Sequence, residues 1–171
     1  MNHEQTLRHR IKLLTWLFII GLFLSGATAI PLVTELDWLA RLTGAQQLVQ
    51  GPASTNAPDW AAWLVKVQST LHETGDKNPI LFYGTDWLAF GHFVIAIVFI
   101  GALRNPVRNR WLFDFGLIAC VLVIPYALVF GGLRGIPFWW RLIDCSFGVF
   151  GFIPLWFCRK WVIELEKLGA R

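Results

Sequence analysis

The sequence predicts an all-α membrane protein, a four-transmembrane-helix antiparallel bundle with one or two amphipathic helices in the outer loop. Three observations predict it. Four apolar stretches, at 13–33, 84–103, 111–130 and 139–158, are each about 20 residues long, enough to cross a hydrocarbon core of roughly 30 Å. Of the 171 residues 56% are hydrophobic and only 15% charged, against about 25% charged in a soluble domain. The basic residues sit at the ends of the apolar stretches: segments 1–12, 104–110 and 159–171 hold ten of the fifteen Lys and Arg. The positive-inside rule therefore places both termini and the 104–110 turn in the cytoplasm, with loop 34–82 periplasmic or extracellular. Residues 1–171 read as a single integral membrane domain.

The first apolar stretch follows Arg8, Arg10 and Lys12. A basic start, an apolar middle and Ala27-Thr28-Ala29 also fit a secretory signal peptide with an A-x-A-like cleavage site. The apolar run continues to Val33, however, and a retained helix uses all of it, so an uncleaved span is the preferred reading. Gly21, Ser25 and Thr28 fall on one face of it, a small-residue surface suited to close helix packing.

Loop 34–82 is the one long polar segment. Leu36, Leu39, Leu42 and Leu48 make a partial helical stripe, and Trp60, Trp63, Leu64, Val67 and Leu71 a better one. Gly51-Pro52 through Ala57-Pro58 is loop by composition, and Asp59 suits the start of the second helix through the helix dipole. Neither helix is long enough to span. With their Trp side chains at head-group level they can lie on the membrane surface or cap the bundle. Gly75 to Pro79 ends the segment.

The second span, 84–103, carries Asp86 and His92. Asn105-Pro106 marks the following turn, and the third span returns with Pro125 as a kink near its far end. Gly131 to Pro137 is a glycine-rich turn containing Arg134. The fourth span has Pro154 near its exit, and residues 163–168 form a short helical tail.

Charged groups at membrane depth are costly unless paired, so each is a functional candidate. Asp86, Arg134, Arg141 and Asp144 all fall near the outer ends of their helices. Arg141 and Asp144 are three apart, close enough to pair, above a stripe of Gly148, Gly151 and Leu155. Two readings follow. In one, these groups form a clasp in which the aspartates neutralise the arginines. In the other, they line an outward-facing pocket for a polar or anionic head group. His92 shares a face with Ala89, Ala96 and Phe99 and points inward. It can hydrogen-bond to a backbone carbonyl or hydroxyl, relay protons, work on a quinone, or ligate haem alone. Bis-histidine haem needs a second intramembrane His, and His3, His9 and His72 lie elsewhere. Asp86 and His92, six apart, are about 120° from one another around a helix and form no dyad. Asp114 is expected to reach back to Arg110.

The cysteines, Cys120, Cys145 and Cys158, have no metal-ligand spacing and read as buried free thiols; no metal site and no resident cofactor is expected. The net charge of +4 is explained by topology, so nucleic acid is not an expected partner. Phosphate loops, H-E-x-x-H and G-x-S-x-G are absent from the sequence.

The segments TDWLAFGHFVIAIVFIGALRNPVRNRW, from Thr85, and RGIPFWWRLIDCSFGVFG, from Arg134, resemble small four-span membrane proteins of bacteria. That resemblance implies the bacterial inner membrane. It carries over no activity and no functional residue. The sequence thus points first to a lipid- or partner-binding accessory subunit in the bilayer, alone, as a homo-oligomer or with another membrane protein. The alternatives are a redox or lipid-head-group enzyme built on Asp86, His92, Arg141 and Asp144, and a small channel or transporter subunit.

Overall fold

A computed structural model describes residues 2–51 and 56–169. Among these the chain is all helix, with no strand. Seven helices follow in order: α1 (His3–Ala29), α2 (Leu32–Thr43), α3 (Ala45–Gln50), α4 (Asp59–Lys77), α5 (Ile80–Arg104), α6 (Arg110–Leu133) and α7 (Phe138–Gly169). Four of them, α1, α5, α6 and α7, are long and apolar enough to cross a membrane.

Local chemistry sets the boundaries. α1 starts well before the apolar stretch, since its polar first turns are good helix formers and Arg8 Nε donates to Glu4 four residues earlier at 2.8 Å. It stops at Ala29 rather than Val33, because Pro31 lacks an N–H and its ring disfavours helix in the residue before it. α2 begins immediately after and ends on Gly44, whose φ of 66° is left-handed and whose N–H reaches Ala40 and Arg41 carbonyls. α4 starts at Asp59 and runs through Gly75 to Lys77, with the acidic residue in its first turn and the basic one in its last. α5 starts at Ile80 and so takes in Ile80 to Phe82, which the sequence reading left in the loop. α7 continues through Pro154 into the charged tail without a break; the expected separate tail helix is its last turns.

The chain divides into two units, Met1–Leu22 with Val94–Arg171, and Phe23–Phe93. In the first, Ile11, Phe99, Phe113, Leu155 and Val162 form a buried core drawn from α1, α5, α6 and α7. Phe99 packs against Phe18 at 4.8 Å and Phe113 at 6.3 Å between ring centroids. α6 and α7 run antiparallel along their whole length. At one end Arg110 Nη1 donates to Glu166 at 2.7 Å. Further along, Gly148 meets α6 so closely that a Cβ there would lie 2.5 Å from the Cys120 carbonyl oxygen, and one at Gly151 would lie 2.9 Å from Cys120 Sγ. The stripe read from the sequence, Gly148, Gly151 and Leu155, therefore faces α6.

In the second unit, Leu36, Ala40, Ala45, Ala61 and Leu64 make a small core between α2, α3 and α4. The last turns of α1 lie against α5 here. The close approach is at Gly26, where a Cβ would sit 2.9 Å from the Ala89 carbonyl oxygen. This corrects the expected small-residue face: Gly21 has nothing within 4 Å of such a Cβ. Composition marked Gly21, Ser25 and Thr28 as suitable, but only the partner helix selects which glycine is approached.

Candidate functional site

α6 ends in a turn that sends the chain straight back. Ile136 N–H donates to Gly131 O at 2.8 Å and Gly135 N–H to Gly132 O at 3.1 Å, with Gly135 at φ 69°. That double bond around a left-handed glycine is a Schellman closure, and it satisfies carbonyls that the helix end would leave open. α7 then begins at Phe138, and one turn on Arg141 lies back over the end of α6.

Gly131 and Gly132 make room for it. A Cβ at Gly131 would lie 2.6 Å from Arg141 Cδ, and one at Gly132 3.0 Å from its Nη1. Arg141 Nη1 donates to the Leu128 carbonyl at 3.0 Å, the guanidinium carbon stands 5.3 Å from the Phe138 ring centroid, and Nε is buried with no hydrogen-bond partner. The six ion pairs among the described residues include none of Asp86, Arg134, Arg141 or Asp144. The expected pairing of Arg141 with Asp144 is therefore not made. The reason is directional: a long helical side chain runs toward the N-terminus, so Arg141 extends over Phe138 and α6, away from Asp144 one turn later. Asp144 is half-buried and Arg134, which caps α6, is exposed.

Asp86 is exposed on α5. His92 is half-buried, and its Nδ1–H donates to the Leu88 carbonyl at 2.8 Å. Its face companions Ala89, Ala96 and Phe99 are buried, as their spacing implied. Asp86 and His92 belong to one unit, Arg134, Arg141 and Asp144 to the other.

Two polar constellations escaped the sequence reading. In the first unit, Arg159 of α7 is ion-paired with Asp114 of α6, which displaces the expected Asp114–Arg110 pair and frees Arg110 for Glu166. His3 Nε2 lies 2.8 Å from Glu164. In the second unit a chain of bonds ties α2 and α3 to α4: Gln46 donates to Gln68 at 2.9 Å, Gln68 to Asp37 at 2.6 Å, and His72 Nε2 lies 2.8 Å from the same Asp37 oxygen. Gln68 is only 8% exposed. Its hydrogen bond, then that of His72, holds the Asp37 carboxyl below its ordinary pKa. One signal was available: Gln68 and His72 are four apart and so share a face of α4. On α2 the opposite arc carries Trp38 and Leu42, 60% and 79% exposed.

Among the described residues no group of three or more His, Cys, Asp or Glu is placed to hold a metal ion. The fold and the site define the class: an all-helical protein with four helices suited to a membrane and a carboxylate-free arginine at the α6–α7 turn. Comparison with protein-family models, curated proteins and solved structures finds no match.

Proposed function

We propose that this chain is a four-span protein of the bacterial inner membrane, with both termini cytoplasmic, that works as a lipid- or partner-binding accessory subunit rather than as an enzyme. The observation that carries the reading is Arg141. Its guanidinium is partly withdrawn from water, has a single protein acceptor, and is positioned by two glycines and an aromatic ring. A cation held this way and given no carboxylate is a receptor for an anion, because the planar guanidinium fork matches a phosphate or a carboxylate. In the four-span topology Arg141 stands at the outer interface, beside lipid phosphates and the edges of neighbouring subunits. The same topology puts Arg134, on the adjoining turn, in water, where it steers anions toward the site.

The test uses the full chain, extracted gently from its native membrane. Intact-complex mass and a visible absorption spectrum are recorded for the wild type, Arg141→Ala and Arg141→Lys. The reading expects a bound anionic lipid or polypeptide in the wild type, lost in Arg141→Ala at unchanged helicity and weakened in Arg141→Lys. A wild type with nothing bound, an Arg141→Ala complex identical to wild type, or a Soret band would overturn it.

A further inference from the structure

The other end of the first unit holds a second cationic feature that the proposed function does not use. A cavity of about 180 Å³ is lined by Arg8, Ile11, Lys12, Ala102, Leu103, Arg104 and Pro106. At roughly 30 Å³ per water it has room for about six waters, and so for a phosphate group. Three of the lining residues are cations, and no acid lines it. Arg8 and Lys12 stand four apart on α1, so two like charges share one face of the helix. Arg8 gives its Nε to Glu4; among the described residues Lys12 and Arg104 form no ion pair.

The walls are fixed. Ile11 and Ala102 are fully buried. The turn after Arg104 is laced by its own amides: Asn109 Nδ2 donates to Gly101 O and Asn105 O, both at 3.0 Å, and Arg108 N–H to Asn105 Oδ1 at 3.0 Å. The three cations are exposed residues that line a space bounded by buried Ile11 and Ala102 and by this hydrogen-bonded turn. Below it the same ridges turn apolar. Arg8 and Lys12 are followed at four-residue steps by exposed Trp16 and Ile20, and Arg104 is preceded by exposed Ile100 and Ile97.

We infer that this cavity binds the phosphate of an anionic phospholipid, with Arg8, Lys12 and Arg104 as its ligands and the acyl chains along the Trp16–Ile20 and Ile97–Ile100 ridges. Basic pockets between helices at the cytoplasmic side take anionic head groups, and an apolar track leading away from the cations selects a lipid over free phosphate. The inference takes from the proposed function only the membrane setting; its residues are different.

Native mass spectrometry of the full chain in detergent tests it, with phosphatidylglycerol, phosphatidylcholine or inorganic phosphate added. Phosphatidylglycerol should be retained at least tenfold better than phosphatidylcholine. Lys12→Gln with Arg104→Gln should remove that preference at unchanged helicity, and each single change should reduce it about threefold. Arg108→Gln with Lys160→Gln, which removes the same charge away from the cavity, should leave it intact. Equal retention of the two lipids, equal loss in the charge-matched control, or displacement of phosphatidylglycerol by millimolar phosphate would overturn the inference. Arg141→Ala should not change it, so failure here is separate from failure of the outer site.

Discussion

Nη1 of Arg141 donates to the backbone carbonyl of Leu128 across 3.0 Å, joining the first turns of α7 to the last turns of α6. Asp144 takes no part. Arg141→Ala should therefore destabilise by about 1–3 kcal/mol, through the lost charged hydrogen bond and the space left over Gly131. Combined with Asp144→Ala the effects should add to within about 0.5 kcal/mol. Thermal unfolding of the four variants in detergent, followed by circular dichroism, gives the cycle. A large coupling would mean that the two side chains pair after all.

The α6–α7 contact rests on absent side chains. Gly148→Leu should cost about 1–3 kcal/mol or more, because the new atoms would collide with the Cys120 carbonyl and Val123. Gly21→Leu should change stability by less than about 0.5 kcal/mol, since that position is open. Melting temperatures of the two variants in the same detergent separate them; equal losses would contradict the packing described.

Asp114 is shared out by tertiary structure, not by sequence distance. A double-mutant cycle on Asp114 and Arg159 should give a coupling of about 0.2–1 kcal/mol, the range for partly exposed pairs. The corresponding cycle on Asp114 and Arg110 should give none. Chemical denaturation of the alanine variants measures both.

The α2–α4 unit should be acid-sensitive. Asp37 has a depressed folded-state pKa, so its contribution is present above the unfolded value of about 3.9 and is lost as pH falls through the folded one. Gln68→Ala should raise the Asp37 pKa more than His72→Ala, since the Gln68 bond is the larger cause. Carboxyl-carbon NMR titration of Asp37 reads this directly; an unchanged titration in Gln68→Ala would remove the network as its cause.

The candidate residues were legible in part. Apolar runs with charges at their edges located Asp86, His92, Arg141 and Asp144, because a charge among apolar residues is conspicuous by composition alone. Spacing also assigned Gly148, Gly151 and Leu155 to one face, since helical periodicity needs no partner. The same spacing argument failed for Arg141–Asp144 and Asp114–Arg110. Proximity along one helix makes a pair reachable, yet side-chain direction and a better partner on the next helix decide whether it forms.

By itself, then, the sequence determined the all-helical class, the four apolar helices and their approximate limits. Those follow from local propensity, proline and glycine stops, and the length of apolar runs. Only tertiary structure decided that Gly26 rather than Gly21 is approached, that Arg159 takes Asp114, that Gln68 and His72 meet Asp37, and that Arg8, Lys12 and Arg104 surround one cavity. Each of these joins residues far apart in the chain, and such meetings depend on which helix faces which, a choice that local pattern does not encode.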